Sequence, residues 1–229
     1  MSHRFEPRMD VLPPAQQQLW SSLAWTGGLG FVLYGGTAIA LRLGHRCSVD
    51  FDFFCETALD RDAIQSAFPV LAQSTVLQDE KNTLSILVPS AEAGQVDVKV
   101  SLFGTIGFGR VGVPDLTADG VLQVASLEDL MATKVKVILQ RAEAKDYCDI
   151  AALLNAGVSL TRGLAAARSL FGPNFQPSES LKAMVYFQDG DLRTLSNDEK
   201  RTLVKAVGEV RELPPVQILA RQLGVKTWV

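Results

Sequence analysis

The residues best suited to chemistry lie in one stretch, Phe31 to Phe54, which reads FVLYGGTAIALRLGHRCSVDFDFF. Its last seven residues, Ser48 to Phe54, alternate in polarity, and side chains along a strand repeat every second residue. Ser48, Asp50 and Asp52 therefore share one face, while Val49, Phe51 and Phe53 share the other and need a core. Two neighbouring carboxylates repel unless a cation lies between them. A divalent ion such as magnesium or manganese takes hard oxygen ligands, commonly one or two carboxylates completed by substrate phosphates. Upstream, Gly35-Gly36 forms a turn whose backbone N–H groups are exposed, and Thr37 can cap a helix running through Leu43 to a stop at Gly44. A glycine turn at a helix start attracts phosphate. Metal-binding carboxylates beside phosphate-binding amides are what nucleotidyl transfer requires, because the ion neutralises charge at the phosphorus under attack. Two aspartates on a strand also serve to block sheet pairing at an edge. Gly35, Gly36 and Thr37 upstream, with Arg46 and Ser48 alongside, favour the site.

A second group stands far downstream. Lys134, Arg141 and Lys145 are separated by seven and four residues, so they line one stripe if a single helix carries them. Such a stripe suits triphosphate or RNA phosphates. Taken alone it reads better as a solvated face, with Lys145 and Asp149 as an i,i+4 pair worth about 0.3–0.5 kcal/mol.

The elements that must position these groups follow from periodicity. Phe31–Tyr34 is a strand, and Leu59–Ala72 has helical spacing in Ile64, Phe68 and Leu71. Thr83–Val88 and Val96–Phe103 alternate across a short turn, which predicts an antiparallel hairpin. In the second of these strands Asp97 points away from the Val96, Val98, Val100 face. Gly107 to Gly112 matches G-x-G-x-x-G in letters, but Val113-Pro114-Asp115 follows where a dinucleotide fold needs a helix, so it is no fingerprint. Ser126 and Asp129 form a capping box for a helix expected to reach about Ala144. Beyond it, helices are expected at Asp146–Leu154, Thr161–Phe171, Ser178–Phe187, Asp198–Val210 and Val216–Leu223, divided by Gly157, Gly172-Pro173, Asp189-Gly190 and Pro214-Pro215. The reading is α+β: a mixed β-sheet with flanking helices over residues 1–125, then a helical domain over 126–229.

Composition sets bounds. The 229 residues are 47% hydrophobic and 21% charged, with a formal charge of −3, so a nucleic acid would need a local basic patch drawn from Arg42, Arg46, Lys134, Lys136, Arg141 and Lys145. Three cysteines without a Cys-x-x-Cys and two histidines argue against zinc and for free thiols in a reducing cytoplasm. The charge-free run Val11–Leu41 is broken by glycines and by a strand-turn-helix pattern, so it reads as a buried core segment and not a membrane span.

The stretch Gly35 to Phe54 resembles the first motif of the AbiEii/AbiGii-type nucleotidyltransferase toxins: Gly35, Gly36 and Thr37, then Arg46, Ser48, Asp50 and Asp52. The later motif of that family, a helix Lys, an Arg, then Arg/Lys-Asp-x-x-Asp, is matched by Lys134, Arg141, Lys145, Asp146 and Asp149. The resemblance covers roughly residues 28 to 155. It implies the polymerase-β-like nucleotidyltransferase fold, a bound nucleoside triphosphate, RNA (tRNA in particular) as acceptor, and a toxin neutralised by a separate antitoxin protein. It implies that Asp50 and Asp52 are catalytic metal ligands, that Lys134 contacts the nucleotide, and that Asp146 is required for activity. The family's Lys-x-Asp motif has two counterparts here. Gln95-Val96-Asp97 would add Asp97 as third metal ligand; Lys99-Val100-Ser101 would leave two carboxylates. The rival readings are a catalytically impaired nucleotide- or protein-binding module of the same fold, and a transferase acting on a small molecule or a protein.

Overall fold

The computed structural model describes residues 3–90 and 94–225. Two compact units divide the chain. Unit 1 holds residues up to Gly109, Val113–Ala125 and the tail from Arg221; unit 2 holds Arg110–Gly112 and Ser126–Ala220. The chain passes from unit 1 to unit 2 between Ala125 and Ser126, and two further segments cross between them. Arg221 to Val225 belongs with the sheet, where the Leu223 amide donates to Glu56 and the Val225 amide to Gln123. Arg110 to Gly112 belongs with the helices.

Unit 1 is built on one eight-stranded mixed sheet in the order β1-β7-β8-β2-β3-β6-β5-β4. The strands are β1 (Arg4–Phe5), β2 (Val32–Tyr34), β3 (Asp50–Phe54), β4 (Thr75–Glu80), β5 (Thr83–Val88), β6 (Val98–Phe103), β7 (Asp115–Thr117) and β8 (Gln123–Val124). Helices α1 (Pro14–Leu19), α2 (Trp25–Gly28), α3 (Gly35–Leu43) and α4 (Arg61–Ala67) complete it. The charge-free run becomes core: Leu23, Val32, Leu33, Ala38, Ile39, Ala40 and Leu41 are fully buried. No helix of the described residues is long and apolar enough to cross a membrane. Helix α3 stops where expected, with Gly44 left-handed at φ 67° and its amide on the Ala40 carbonyl. The hairpin β5–β6 is antiparallel as expected, though part of its turn lies outside the described residues. Pro69 ends α4 early and a 3-10 turn, Pro69–Gln73, continues it. Strand β4 carries no sequence signal, because all six of its residues are exposed at the sheet edge and no buried face imposes alternation. Val49 lies just outside β3 and is exposed, so the buried face of that strand is Phe51 and Phe53.

Unit 2 is helical: α5 (Leu127–Val137), α6 (Ala144–Asn155), α7 (Leu160–Phe171), α8 (Pro177–Met184) and α9 (Asn197–Glu209). Ser126 caps α5 through the Asp129 amide, and Ser196 with Glu199 forms a full capping box on α9. Helices α5 and α7 touch closely; a Cβ on Gly163 would stand 2.2 Å from Met131 Cγ. The helix expected at Val216–Leu223 is absent. Arg110 takes that backbone instead, donating its amide to the Ala220 carbonyl at 2.9 Å and accepting the Leu219 amide at 2.8 Å.

Candidate active site

In unit 1, β2 turns directly into α3. Tyr34 is extended at φ −120°, and Gly35 opens the helix at φ 73°, a conformation that favours glycine. The position is closed to a side chain for a second reason: a Cβ there would lie 2.7 Å from Asp52 Oδ2. The Asp52 carboxylate therefore rests against the glycine backbone that opens the helix. Thr37 does not cap α3. Its hydroxyl donates to the Asp50 carbonyl, so Ser48, 2.7 Å away, is the donor of the Thr37–Ser48 bond. Both hydroxyls are buried and hold the entry of β3 against α3. Through the Asp50 carbonyl they tie the backbone of that residue to α3. Arg46 donates to the Cys47 carbonyl at 2.9 Å.

The central place of β3 fixes which side chains flank the aspartates. It runs antiparallel to β2 and parallel to β6, with Tyr34 opposite Asp52, Lys99 beside Asp50 and Ser101 beside Asp52. Asp50, Asp52 and Phe54 are half-buried on the face opposite Phe51 and Phe53. Ser101 in turn pairs with Ser85 of β5, with their hydroxyls 3.1 Å apart. One row across the sheet is thus Tyr34, Asp52, Ser101, Ser85.

Asp97 does not join this row. It precedes β6, is exposed, and accepts the Ser90 amide at 3.2 Å. The register puts Lys99 level with Asp50, which leaves Asp97 two residues back, roughly 7 Å along the strand direction. Lys99-Val100-Ser101 is therefore the segment beside the aspartates. Among the described residues, no three His, Cys, Asp or Glu side chains group as ligands for a metal ion. Two adjacent carboxylates do fit one divalent cation, and Asp50 and Asp52 would hold it.

An aromatic cluster not anticipated from the sequence flanks Asp52. The Tyr34 ring stacks on Phe54 at 4.9 Å, and Phe103 and Phe108 meet Phe54 edge-on. Phe54 shares the face of Asp50 and Asp52 by alternation, which is the signal that points to it. Phe108 comes from the glycine-rich Gly107–Gly112 segment.

In unit 2 the expected single stripe does not exist. Helix α5 ends at Val137, and α6 begins at Ala144, so Arg141 lies between helices and Lys145 on the second. Lys134 Nζ reaches Asp146 Oδ1 and Asp149 Oδ2, each at 2.6 Å. The Lys134 side chain is 6% exposed and both carboxylates are fully buried. Asp146 also accepts Arg141 Nε at 2.8 Å and Nη2 at 3.2 Å. Burial works to raise the Asp146 pKa, but hydrogen bonds from Arg141 and the charge of Lys134 outweigh it and hold the group below the usual carboxylate range. Lys145 pairs with Glu143 at 2.8 Å, not with Asp149. A further carboxylate, Asp129, accepts the Val111 and Gly112 amides and the Ser126 hydroxyl; burial raises its pKa against those bonds.

Three of the six residues expected in a basic patch, Arg42, Lys134 and Lys136, are engaged within the protein. The Arg42 side chain is 8% exposed and bonded to Asp115 and to the Val124 and Ala125 carbonyls, with its guanidinium 4.4 Å from the centre of the Phe5 ring. Lys134 is enclosed by carboxylates, and Lys136 donates to the Asn174 carbonyl.

Comparison with known proteins gives a family and a fold. The model of the family described as nucleotidyl transferase AbiEii toxin, type IV TA system, matches residues 26–220. An uncharacterized protein of Aquifex aeolicus (strain VF5) is 29% identical over 161 residues, 69% of this chain and 74% of the relative. Among solved structures, MenT4, a nucleotidyltransferase toxin of Mycobacterium tuberculosis H37Rv, is similar in fold with a TM-score of 0.53 at 15% identity, covering 86% of this chain and 91% of that one. The Megavirus polyadenylate synthase gives a TM-score of 0.44 at 13% identity over 64% of this chain and 33% of its own.

Proposed function

The chain belongs to the AbiEii family of nucleotidyl transferase toxins, and on that premise we propose that it is a magnesium- or manganese-dependent, cytoplasmic enzyme that transfers a nucleoside monophosphate to RNA, tRNA in particular, and is held in check by an antitoxin protein. The observation that carries the reading is the contact between the Asp52 carboxylate and the Gly35 backbone at the opening of α3, with Asp50 beside it on the same face. A triphosphate docks on the Gly35-Gly36 amides at the positive end of the nine-residue helix α3. Thr37 and Ser48 keep Asp50 in place, and Arg46 stands in the loop between α3 and β3. Asp50 and Asp52 hold the divalent cation, which when bound neutralises charge at the α-phosphorus and aligns the incoming hydroxyl. The acceptor oxygen bonds to the α-phosphorus, the bond from that phosphorus to the bridging oxygen breaks, pyrophosphate leaves, and the hydroxyl proton passes to solvent. Asp146 and Asp149 engage Lys134, and Arg141 braces Asp146; a nucleotide contact by Lys134 rests on the family. RNA as acceptor and the antitoxin rest on the family.

The test is incorporation. The protein is incubated with magnesium, each labelled nucleoside triphosphate in turn and total RNA, beside an Asp50→Ala/Asp52→Ala variant. Label entering RNA with the wild type alone supports the proposal. Label entering protein or a small molecule replaces the acceptor, and no label in any fraction despite nucleotide binding sinks the catalytic reading.

A further inference from the structure

From the register of β3 against its neighbours we infer that this site works with one divalent cation, not two, and that Ser101 is the residue that sets this number; the inference rests on the nucleotidyltransferase reading above. Two-cation sites place their ions about 3.5–4 Å apart, and with substrate phosphates shared between the ions a further protein carboxylate favours holding the second. The in-register neighbours of Asp50 and Asp52 supply none. Beside Asp50 stands Lys99, and beside Asp52 stand Tyr34 and Ser101. The next residue in that row is Ser85, again neutral. Asp97, which precedes β6, accepts the Ser90 amide outside the strand.

Charge leads to the same number. The Asp50 carboxylate and the Lys99 ammonium have no ion-pair partner among the described residues. One cation can be shared by the two aspartates. A second would find no further carboxylate among the in-register neighbours and would stand near the Lys99 ammonium, which repels it. Ser101 is buried and its hydroxyl is fixed on Ser85, so it stands at the third-ligand position as a neutral, preoriented group. A carboxylate there would be adjacent to Asp52 and level with it across the parallel pair.

The experiment loads the full chain with Mn2+ and each of the four α,β-methylene ribonucleoside triphosphates, removes unbound ligand, and records manganese per chain together with the electron paramagnetic resonance spectrum. The expected result is one Mn2+ per chain with the spectrum of an isolated ion, unchanged in Ser101→Ala, and two exchange-coupled ions in Ser101→Asp. Two coupled ions in the wild type overturn the inference while leaving the transferase reading intact. Nucleotide bound with no Mn2+, or neither bound, overturns both. The wild-type count decides the matter even where Ser101→Asp does not fold.

Discussion

At the scale of single residues, two positions in the site separate positioning from chemistry. Gly35 holds a positive φ and lies against the Asp52 carboxylate, so Gly35→Ala meets both a left-handed backbone and a contact of 2.7 Å. The backbone effect alone costs about 1–2 kcal/mol. The variant should lose at least that much stability in urea titration, and should bind nucleoside triphosphate at least tenfold more weakly by isothermal calorimetry, because Asp52 must move. Asp50 behaves differently. Its carboxylate has no ion-pair partner among the described residues, while its backbone carbonyl accepts the Thr37 bond. Asp50→Asn should therefore keep its melting stability within about 0.5 kcal/mol of wild type and lose nucleotide transfer. A large drop in stability would mark Asp50 as a structural residue and not a cation ligand.

At the scale of elements, what the sequence reveals depends on whether a segment has one buried face. Strand β3 is legible because Phe51 and Phe53 alternate with Asp50 and Asp52, and α3 is legible because Gly35 and Gly44 bracket an apolar run. Strand β4 has no buried residue, so no period marks it. The position of Asp97 depends on register, and one sequence does not say whether Asp97 or Lys99 stands level with Asp50. The break between α5 and α6 escapes periodicity for another reason: Lys134, Arg141 and Lys145 are spaced for one helix, but two buried carboxylates of α6 claim Lys134. That network makes a firm prediction. Lys134→Met removes the buried ammonium that Asp146 and Asp149 share and should cost about 3–5 kcal/mol. Adding Asp146→Asn and Asp149→Asn to the same variant should restore a measurable part of it. The pH dependence has a definite sign. Asp146 is held low in the folded state, so its contribution is fully present above the unfolded carboxylate value, about 3.9, and is lost as pH falls through the depressed folded value. Acid unfolding curves of Asp146→Asn should be flatter than wild type in that window, and lower at neutral pH.

At the scale of the whole molecule, the chain is two units, and a single unfolding free energy need not describe it. The described tryptophans, Trp20 and Trp25, both lie in unit 1, where Trp20 packs on Phe51 behind the aspartates and Trp25 on Phe31 and Phe68. Tryptophan fluorescence therefore reports the sheet unit, while far-UV circular dichroism is weighted to the helices of unit 2. The proposed triphosphate contacts at Gly35 and Gly36 and the cation ligands Asp50 and Asp52 are all in unit 1. A ligand that binds the folded state stabilises it by about 2.7 kcal/mol at one hundred times its dissociation constant. Magnesium with a non-hydrolysable nucleoside triphosphate at that level should raise the urea midpoint of the fluorescence transition accordingly. Asp50→Ala/Asp52→Ala should abolish the rise without lowering the ligand-free midpoint, since removing two neighbouring carboxylates relieves repulsion. A rise that persists in the double variant would place nucleotide binding away from β3, and a fall in its ligand-free midpoint would make the aspartates part of the fold's own support.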